Sequence, residues 1–297
     1  SQTELIRQAE ERARQASSAL LPTVDGVASR TWQEPLPAGT TITSNAQLER
    51  QTLARLTATQ PLFRGFREFA TLRQTQALVG AQNHDYRQAR VLLFRDVVEN
   101  FYGILSSEQD IANLDEEIRQ NQIRENDLQT RVRIGRSRAS ELLNVQSTIS
   151  TLRAQREQLQ GQLSVARETL AFLSGLDSTI ALRDNEPLPQ QLEPLTEYLQ
   201  RVELRPDVQA GKERLTAGQE YVAVARGAHL PSLDLNGNYY LERPGNLQDV
   251  TWDVQLALTV PIFSGGSLQS KVREAQSQHT QAELNLEQVR RQAQQEI

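Results

Sequence analysis

The sequence holds no cysteine and no methionine. The first absence removes thiolate metal ligands and thiol nucleophiles, and it suits an oxidising compartment, where a stray thiol is a liability. The second means that the initiator is gone, so the numbering is expected to begin after processing. Aromatic residues make up 5% of the chain and apolar residues 38%, against 23% charged, which is thin for two well-filled cores although 297 residues could form two domains. No run of 18 apolar residues occurs, so no transmembrane helix is expected. A β-barrel would leave no such run, and that route into a membrane stays open. The net charge of −5 argues against nucleic acid as a partner. His84, His229 and His279 are far apart, no phosphate-binding glycine loop is present, and the carboxylates alternate with arginines as on solvated helix faces. No catalytic residue, metal site or cofactor is expected, and the chain does not read as an enzyme.

What is present is helix-forming material. Ala, Leu, Glu, Gln and Arg dominate, as in long helices that bury narrow seams. Leu5, Ala9, Ala13, Ala16 and Leu20 recur at helical spacing until Pro22. Thr23 to Trp32 reads as extended, a loop over 33–46 carries Pro35, Pro37 and Gly39, and Leu48 to Gln60 returns as a second extended segment. Pro61-Leu62-Phe63-Arg64-Gly65 then opens a helical stretch that runs without proline to about Val132. Seventy helical residues span roughly 100 Å. Its last third has heptad spacing, at Ile111, Leu114, Ile118, Asn121, Glu125, Leu128 and Val132.

Arg133 to Ser137 reads as a turn, with Gly135 at positive φ and Ser137 capping the next helix. In that helix Leu142, Val145, Ile149, Leu152, Arg156, Leu159, Leu163, Ala166, Leu170 and Leu173 alternate steps of three and four, the seam of a coiled coil. Two such helices about a tight turn make an antiparallel hairpin. Arg131, Arg133, Arg136 and Arg138 ring Gly135 with positive charge, which by itself is also what a solvated turn would carry.

Pro187, Pro189 and Pro194 break the pattern before a short helix from Thr196 to Glu203, a restart at Arg205-Pro206-Asp207, and a helix to about Ala228. Ser232 to Glu242 alternates apolar and polar residues, Pro244-Gly245-Asn246 is turn chemistry, and Val250 to Val260 alternates without a break. In that last segment Trp252, Val254, Leu256, Leu258 and Val260 point one way, and Asp253, Gln255 and Thr259 the other. About 9–11 tilted residues of this kind suffice to cross a bilayer as a barrel strand. Pro261, Gly265 and Gly266 then lead into a helix from Ser267 to Ile297.

The chain thus says the same thing twice. Helix, Leu-Pro, strand, loop, strand, Pro-x-Phe-x-Gly, helix is read first from Leu21-Pro22 to Gly65 and again from Leu230-Pro231 to Gly265. On this alignment Ile297 matches Val97, and a further helical hairpin is expected beyond it. Each copy offers only a two-stranded hairpin, marginal in water alone. Pairing with strands of other chains would remove the edges, and lipid would cover the apolar face.

This layout resembles the outer-membrane efflux (TolC-like) family. The resemblance is carried by Leu20-Leu21-Pro22 and Leu230-Pro231-Ser232-Leu233, by Gln60 to Gly65 and Val260 to Gly266, by Arg133-Ile134-Gly135 with Ser140 to Gln146, and by Arg205-Pro206-Asp207-Val208. It implies a mainly α fold with a four-strand β contribution: long coiled-coil helices in a periplasmic tunnel, and two β-hairpins of a barrel shared by a homotrimer, with an internal twofold repeat whose second helical hairpin is truncated. Residues 1–21, 62–174 (turn at 133–138), 204–229 and 262–297 would be tunnel helices, 22–61 and 230–261 barrel hairpins, and 175–203 an equatorial segment. The family serves as the exit duct of tripartite efflux pumps or type I secretion systems, with a periplasmic adaptor and an inner-membrane transporter as partners. Arg133, Ile134, Gly135, Arg136, Ser137 and Glu141 would then contact the adaptor. Pro61, Gly65, Pro261, Gly265 and Gly266 would mark the joints between barrel and tunnel, and two identical joints are expected. Trp32, Tyr239 and Trp252, with Tyr240, would form an aromatic girdle at the lipid interface, unless they serve only cross-strand packing. The family's gate is built mainly by the second hairpin, so no gate residue is named. The competing expectation is a soluble periplasmic coiled-coil adaptor or scaffold whose strands form a small domain.

Overall fold

The computed structural model describes residues 2–33, 50–186, 193–245 and 247–297. Most of the loop expected over 33–46 lies outside the described residues, as do Leu48, Pro187, Pro189 and Asn246. The elements in order are α1 (Gln2–Ser18), β1 (Thr23–Trp32), β2 (Arg50–Arg64), α2 (Arg67–Arg133), α3 (Ala139–Ser174), α4 (Leu195–Arg201) with a single 3-10 turn (Val202–Leu204), α5 (Pro206–Gly227), β3 (Ser232–Glu242), β4 (Trp252–Thr259) and α6 (Ser267–Gln295). They fall into two compact units, Ser1–Gln88 with Glu193–Ile297, and Ala89–Leu192.

The first unit holds an open antiparallel sheet of order β1-β2-β3-β4. Alternation sets its two faces. Val24, Leu56, Tyr239 and Trp252 belong to rows on one side, since Gly26 pairs with Leu56, Leu56 with Tyr239 and Tyr239 with Trp252. On the other side Thr57 Oγ1 donates to Asn238 Oδ1 at 2.9 Å, Asn238 Nδ2 donates to Asp253 Oδ1 at 2.8 Å, and Thr59 Oγ1 donates to Asn236 Oδ1 at 3.0 Å. The apolar face is bare: Val24 is 68% exposed, Trp252 64% and Leu258 66%. Both outer strands, β1 and β4, have one unpaired edge among the described residues.

Two strand boundaries differ from the sequence reading. β2 does not end before Pro61 but runs on to Arg64, and α2 starts only at Arg67 rather than near Phe63. The missing N–H of Pro61 is absorbed by a bulge between Pro61 and Phe63, opposite Asp234, whose carboxylate accepts from Arg64 Nε at 2.8 Å. β4 is shorter than Val250 to Val260, because Val250 N–H is spent on Leu247 O in the preceding turn.

The helices of this unit pack through small residues. Val202, Val208, Leu286 and Ala293 form a buried cluster extended by Leu215 and Val289, which joins α5 to α6. Pro206 sits in the first turn of α5, where its lacking N–H costs nothing, and Asp207 Oδ1 accepts the Val208 N–H. A Cβ on Gly211 would stand 2.9 Å from Leu286 Cδ1, so the glycine sets how closely α5 and α6 approach. Glu203 ties both helices, at 2.7 Å from Lys212 Nζ and 3.0 Å from Arg290 Nε.

In the second unit the heptads of α2 and α3 meet as read. All ten seam positions of α3 are buried or half-buried, as are the seven of α2. Leu128, Val145 and Ile149 form a cluster with Leu142 beside it. The polar seam positions are matched across the helices: Gln146 Nε2 donates to Glu125 Oε1 at 2.8 Å, and Arg156 Nε donates to Asp115 Oδ1 at 2.6 Å. Gly175 ends α3 at φ +73, with its N–H on Ala171 O.

Candidate functional site

Three sets of residues carry the candidate chemistry. The first is the tip between α2 and α3. The Gly135 N–H bonds Val132 O at 3.0 Å and the Arg136 N–H bonds Arg131 O at 2.8 Å, the paired bonds of a Schellman cap, and Gly135 takes φ +77 to make them. Ser137 does not cap α3 as expected. Arg138 holds the N-cap position without a side-chain bond, and Ser137 Oγ donates to Glu141 Oε2 at 3.2 Å. A carboxylate four residues on outcompetes the amide, because a charged acceptor binds a hydroxyl more strongly. Arg131 is paired with Asp127 at 2.9 Å, whereas Arg133, Arg136 and Arg138 are exposed and make no ion pair among the described residues. Arg131 and Arg133 sit in the last turn of α2 and Glu141 in the first turn of α3, each sign favourable to its helix dipole. Ile134 is 57% exposed and Leu143 63%, so the tip is cationic with two apolar side chains in water. Leu143 lies in the Ser140 to Gln146 stretch by which the sequence marks this turn. It stands one position beside the seam residue Leu142, which is the signal that marks it as outward.

The second set is the pair of joints, and they differ. At the first, Gly65 and Phe66 have φ +67 and +60. A Cβ on Gly65 would lie 2.2 Å from Gly227 O, and one on Gly227 would lie 2.4 Å from Gly65 O, so two backbones touch here. Gln60 Nε2 donates to Leu20 O at 3.1 Å, and Phe63 meets Phe66 edge-on with centroids 5.1 Å apart. At the second joint Gly265 and Gly266 have φ +59 and +80, yet neither has anything within 4 Å of its Cβ position. Pro261 lies beyond the ladder there, which stops at Thr259. The expectation of identical joints is therefore corrected: the backbone turns are alike, but β2 has β3 beside it whereas β4 has an open edge. Gly227 was missed by the sequence reading, since a glycine at a helix end looks like a terminator and its partner is remote in sequence.

The third set is aromatic. Trp32 (66% exposed), Tyr239 (53%) and Trp252 (64%) share the apolar face, all toward the end of the sheet away from the joints. Tyr240 does not join them. Period two turns it to the polar face, where Arg243 stacks over its ring at 4.1 Å. Among the described residues no cluster of three histidines or acidic residues could hold a metal, and no helix is long and apolar enough to cross a membrane, which says nothing of a barrel.

A family profile described as "Outer membrane efflux protein" matches residues 4–176 and 199–297. Protein CyaE of Bordetella pertussis (strain Tohama I) is 24% identical over 251 residues, 81% of this chain and 53% of its own length, so the chain spans about half the length of that curated relative. The outer membrane protein VceC of Vibrio cholerae superposes with a TM-score of 0.83 at 16% identity, over 100% of this chain and 72% of that one. CusC, whose structures concern folding and transmembrane channel formation, superposes with a TM-score of 0.80 at 20% identity, over 99% of this chain and 69% of that one. At such identities the likeness is one of fold, a mainly helical chain with a partial barrel.

Proposed function

The chain belongs to the outer membrane efflux protein family, and from that premise we propose that it serves as the exit duct of a tripartite efflux pump or type I secretion system. The observation that carries the proposal is the sheet: four strands with a bare apolar face, a hydrogen-bonded polar face and two edges unpaired among the described residues. Such a sheet is unsatisfied in water and satisfied when lipid covers one face and other copies pair with the edges. In this reading three copies contribute twelve strands to one barrel, formed by residues 22–61 and 230–261. The helices of 1–21, 62–174, 204–229 and 262–297 form the tunnel wall, with 175–203 around its girth. Trp32, Tyr239 and Trp252 sit at the lipid interface, where an amphipathic ring is favoured. The duct is a passive conduit, and energy comes from an inner-membrane transporter.

Arg133, Ile134, Gly135, Arg136, Ser137 and Glu141 are the surface offered to a periplasmic adaptor. Unpaired guanidiniums beside exposed Ile134 and Leu143 suit an amphipathic hairpin with acidic rims. Pro61, Gly65, Pro261, Gly265 and Gly266 turn the wall from sheet to helix.

The full chain reconstituted in planar lipid bilayers should give stepwise conductance, and its absence from preparations that contain the assembled protein would overturn the duct reading. Gly135→Trp should abolish export in cells while assembly and conductance persist. Normal export by that variant would remove the tip from the adaptor contact.

A further inference from the structure

The apolar side of the sheet carries two positive charges that no carboxylate of the sheet answers. Period two turns Val24, Gly26, Ala28, Arg30 and Trp32 of β1 to that side. In the ladder Arg30 stands opposite Thr52 and Trp32 opposite Arg50, so Arg50 shares the face. The rest of the two rows, from Val24 to Ala28 and from Thr52 to Ala58, lacks charge. On the polar side, by contrast, Arg64 is paired with Asp234 at 2.8 Å and Arg243 lies 3.8 Å from Asp253. Arg30 and Arg50 are exposed and make no ion pair among the described residues. Arg30 lies over Trp32 instead, its guanidinium carbon 5.5 Å from the ring centroid.

The height of the two arginines decides what they meet. Thr23 is the first and Trp32 the last of the ten residues of β1, and Thr23 is the one beside the joint. At ~3.3 Å per residue and a tilt of ~40°, Trp32 stands roughly 23 Å above Thr23, close to the ~25 Å height of an apolar barrel band. Arg30 and Arg50 thus lie at the boundary of that band on the end away from the helices. A lipid-facing arginine is strongly disfavoured at the midplane and tolerated at the interface, where its long stem reaches the headgroups. Diagonal neighbours on adjacent strands are about 7–8 Å apart, so both guanidiniums reach one anion. Without an anion between them they repel, and their planar forks match phosphate oxygens two at a time.

We propose that Arg30 and Arg50, walled by Trp32, hold the phosphate of an anionic lipid headgroup in the outer leaflet. The proposal rests on the shared-barrel reading and adds a specific lipid contact to its outer rim. The phosphate oxygens accept from both guanidiniums, and the acyl chains follow the apolar rows past Ala28 and Leu56. The other hairpin offers no such pair. Its outer end sets Tyr239 and Trp252 on the apolar face, and Arg243 is turned to the polar face beside Tyr240. One bound lipid per chain is therefore expected rather than a general basic belt.

The test uses the assembled full chain in detergent, with bound lipid counted by native mass spectrometry. Bis-phosphorylated lipid A, its dephosphorylated form and inorganic phosphate are the probes. Bis-phosphorylated lipid A should be retained at about one per chain, and the Arg30→Gln/Arg50→Gln double variant should retain at least about tenfold less. Arg243→Gln, at the same end but on the polar face, should retain as much as the unaltered chain. Equal retention by the double variant, an equal loss in Arg243→Gln, or equal retention of the dephosphorylated lipid would overturn the site. Displacement of lipid A by millimolar inorganic phosphate would overturn it too, because the bound anion would then be a free one. Conductance in planar bilayers separates this failure from that of the duct. It should be the same for the double variant and the unaltered chain, and its absence from both would overturn the duct reading and the site with it.

Discussion

Gly65 and Gly103 show how differently one residue type acts in this chain. Gly65 holds a positive φ against the carbonyl of Gly227, so a methyl group there meets backbone that cannot yield. Gly103 lies within α2 with open space around it and contributes only entropy to the unfolded state. Gly65→Ala should therefore cost about 2–5 kcal/mol, combining αL strain with overpacking. Gly103→Ala should gain about 0.5–1 kcal/mol. Thermal unfolding in detergent of the two variants would show opposite shifts, and shifts of the same sign would refute the account. The tip glycine is a third case: Gly135 needs its positive φ but has no neighbour, which leaves the space around it available to a partner.

At the scale of elements, the α2–α3 hairpin depends on a narrow apolar seam. Ile149 is 4% exposed among Leu128 and Val145, and Ile149→Ala should cost about 2–5 kcal/mol. Arg156→Ala, which breaks a largely exposed pair with Asp115, should cost less than about 1 kcal/mol. Denaturant midpoints of the two variants separate these mechanisms. The contact of α5 with α6 has a titratable clasp. Lys212, and after it Arg290, hold the Glu203 carboxyl below the ordinary glutamate value of 4.5. A depressed carboxylate stabilises the fold fully above that ordinary value and loses its contribution as pH falls through the lower folded value. Stability should therefore decline as the pH drops below about 4.5 toward the fully protonated form, and Glu203→Gln should show a smaller decline over the same interval. Equal pH profiles would exclude the clasp.

At the scale of the whole molecule, the sheet separates two solvents. Leu256 belongs to the bare apolar row and Gln255 to the opposite row. Leu256→Arg should cost about 2–4 kcal/mol near the bilayer midplane and lower the amount of protein assembled in the outer membrane. Gln255→Arg should assemble normally and shift channel selectivity toward anions, read as a change of reversal potential across a salt gradient. If both variants assemble equally well, the apolar row does not face lipid.

The sequence by itself determined the elements, the faces and the repeat, because period-two alternation, heptad spacing and proline–glycine punctuation are local consequences of backbone geometry. The seams of α2 and α3 were legible position by position, and so was the positive φ of Gly135. Only the tertiary structure decided the rest, and in each case a remote or competing group was responsible. β2 continues through Pro61 because Asp234 and Arg64 meet across a bulge. Gly65 is required because Gly227, remote in the sequence, touches it. Ser137 turns to Glu141 rather than to the helix amide, and Arg243 is the group that stacks over Tyr240 on the polar face where period two already put that ring. Local pattern states which side chains need partners, and the partners are chosen by whichever distant segment folding brings to them.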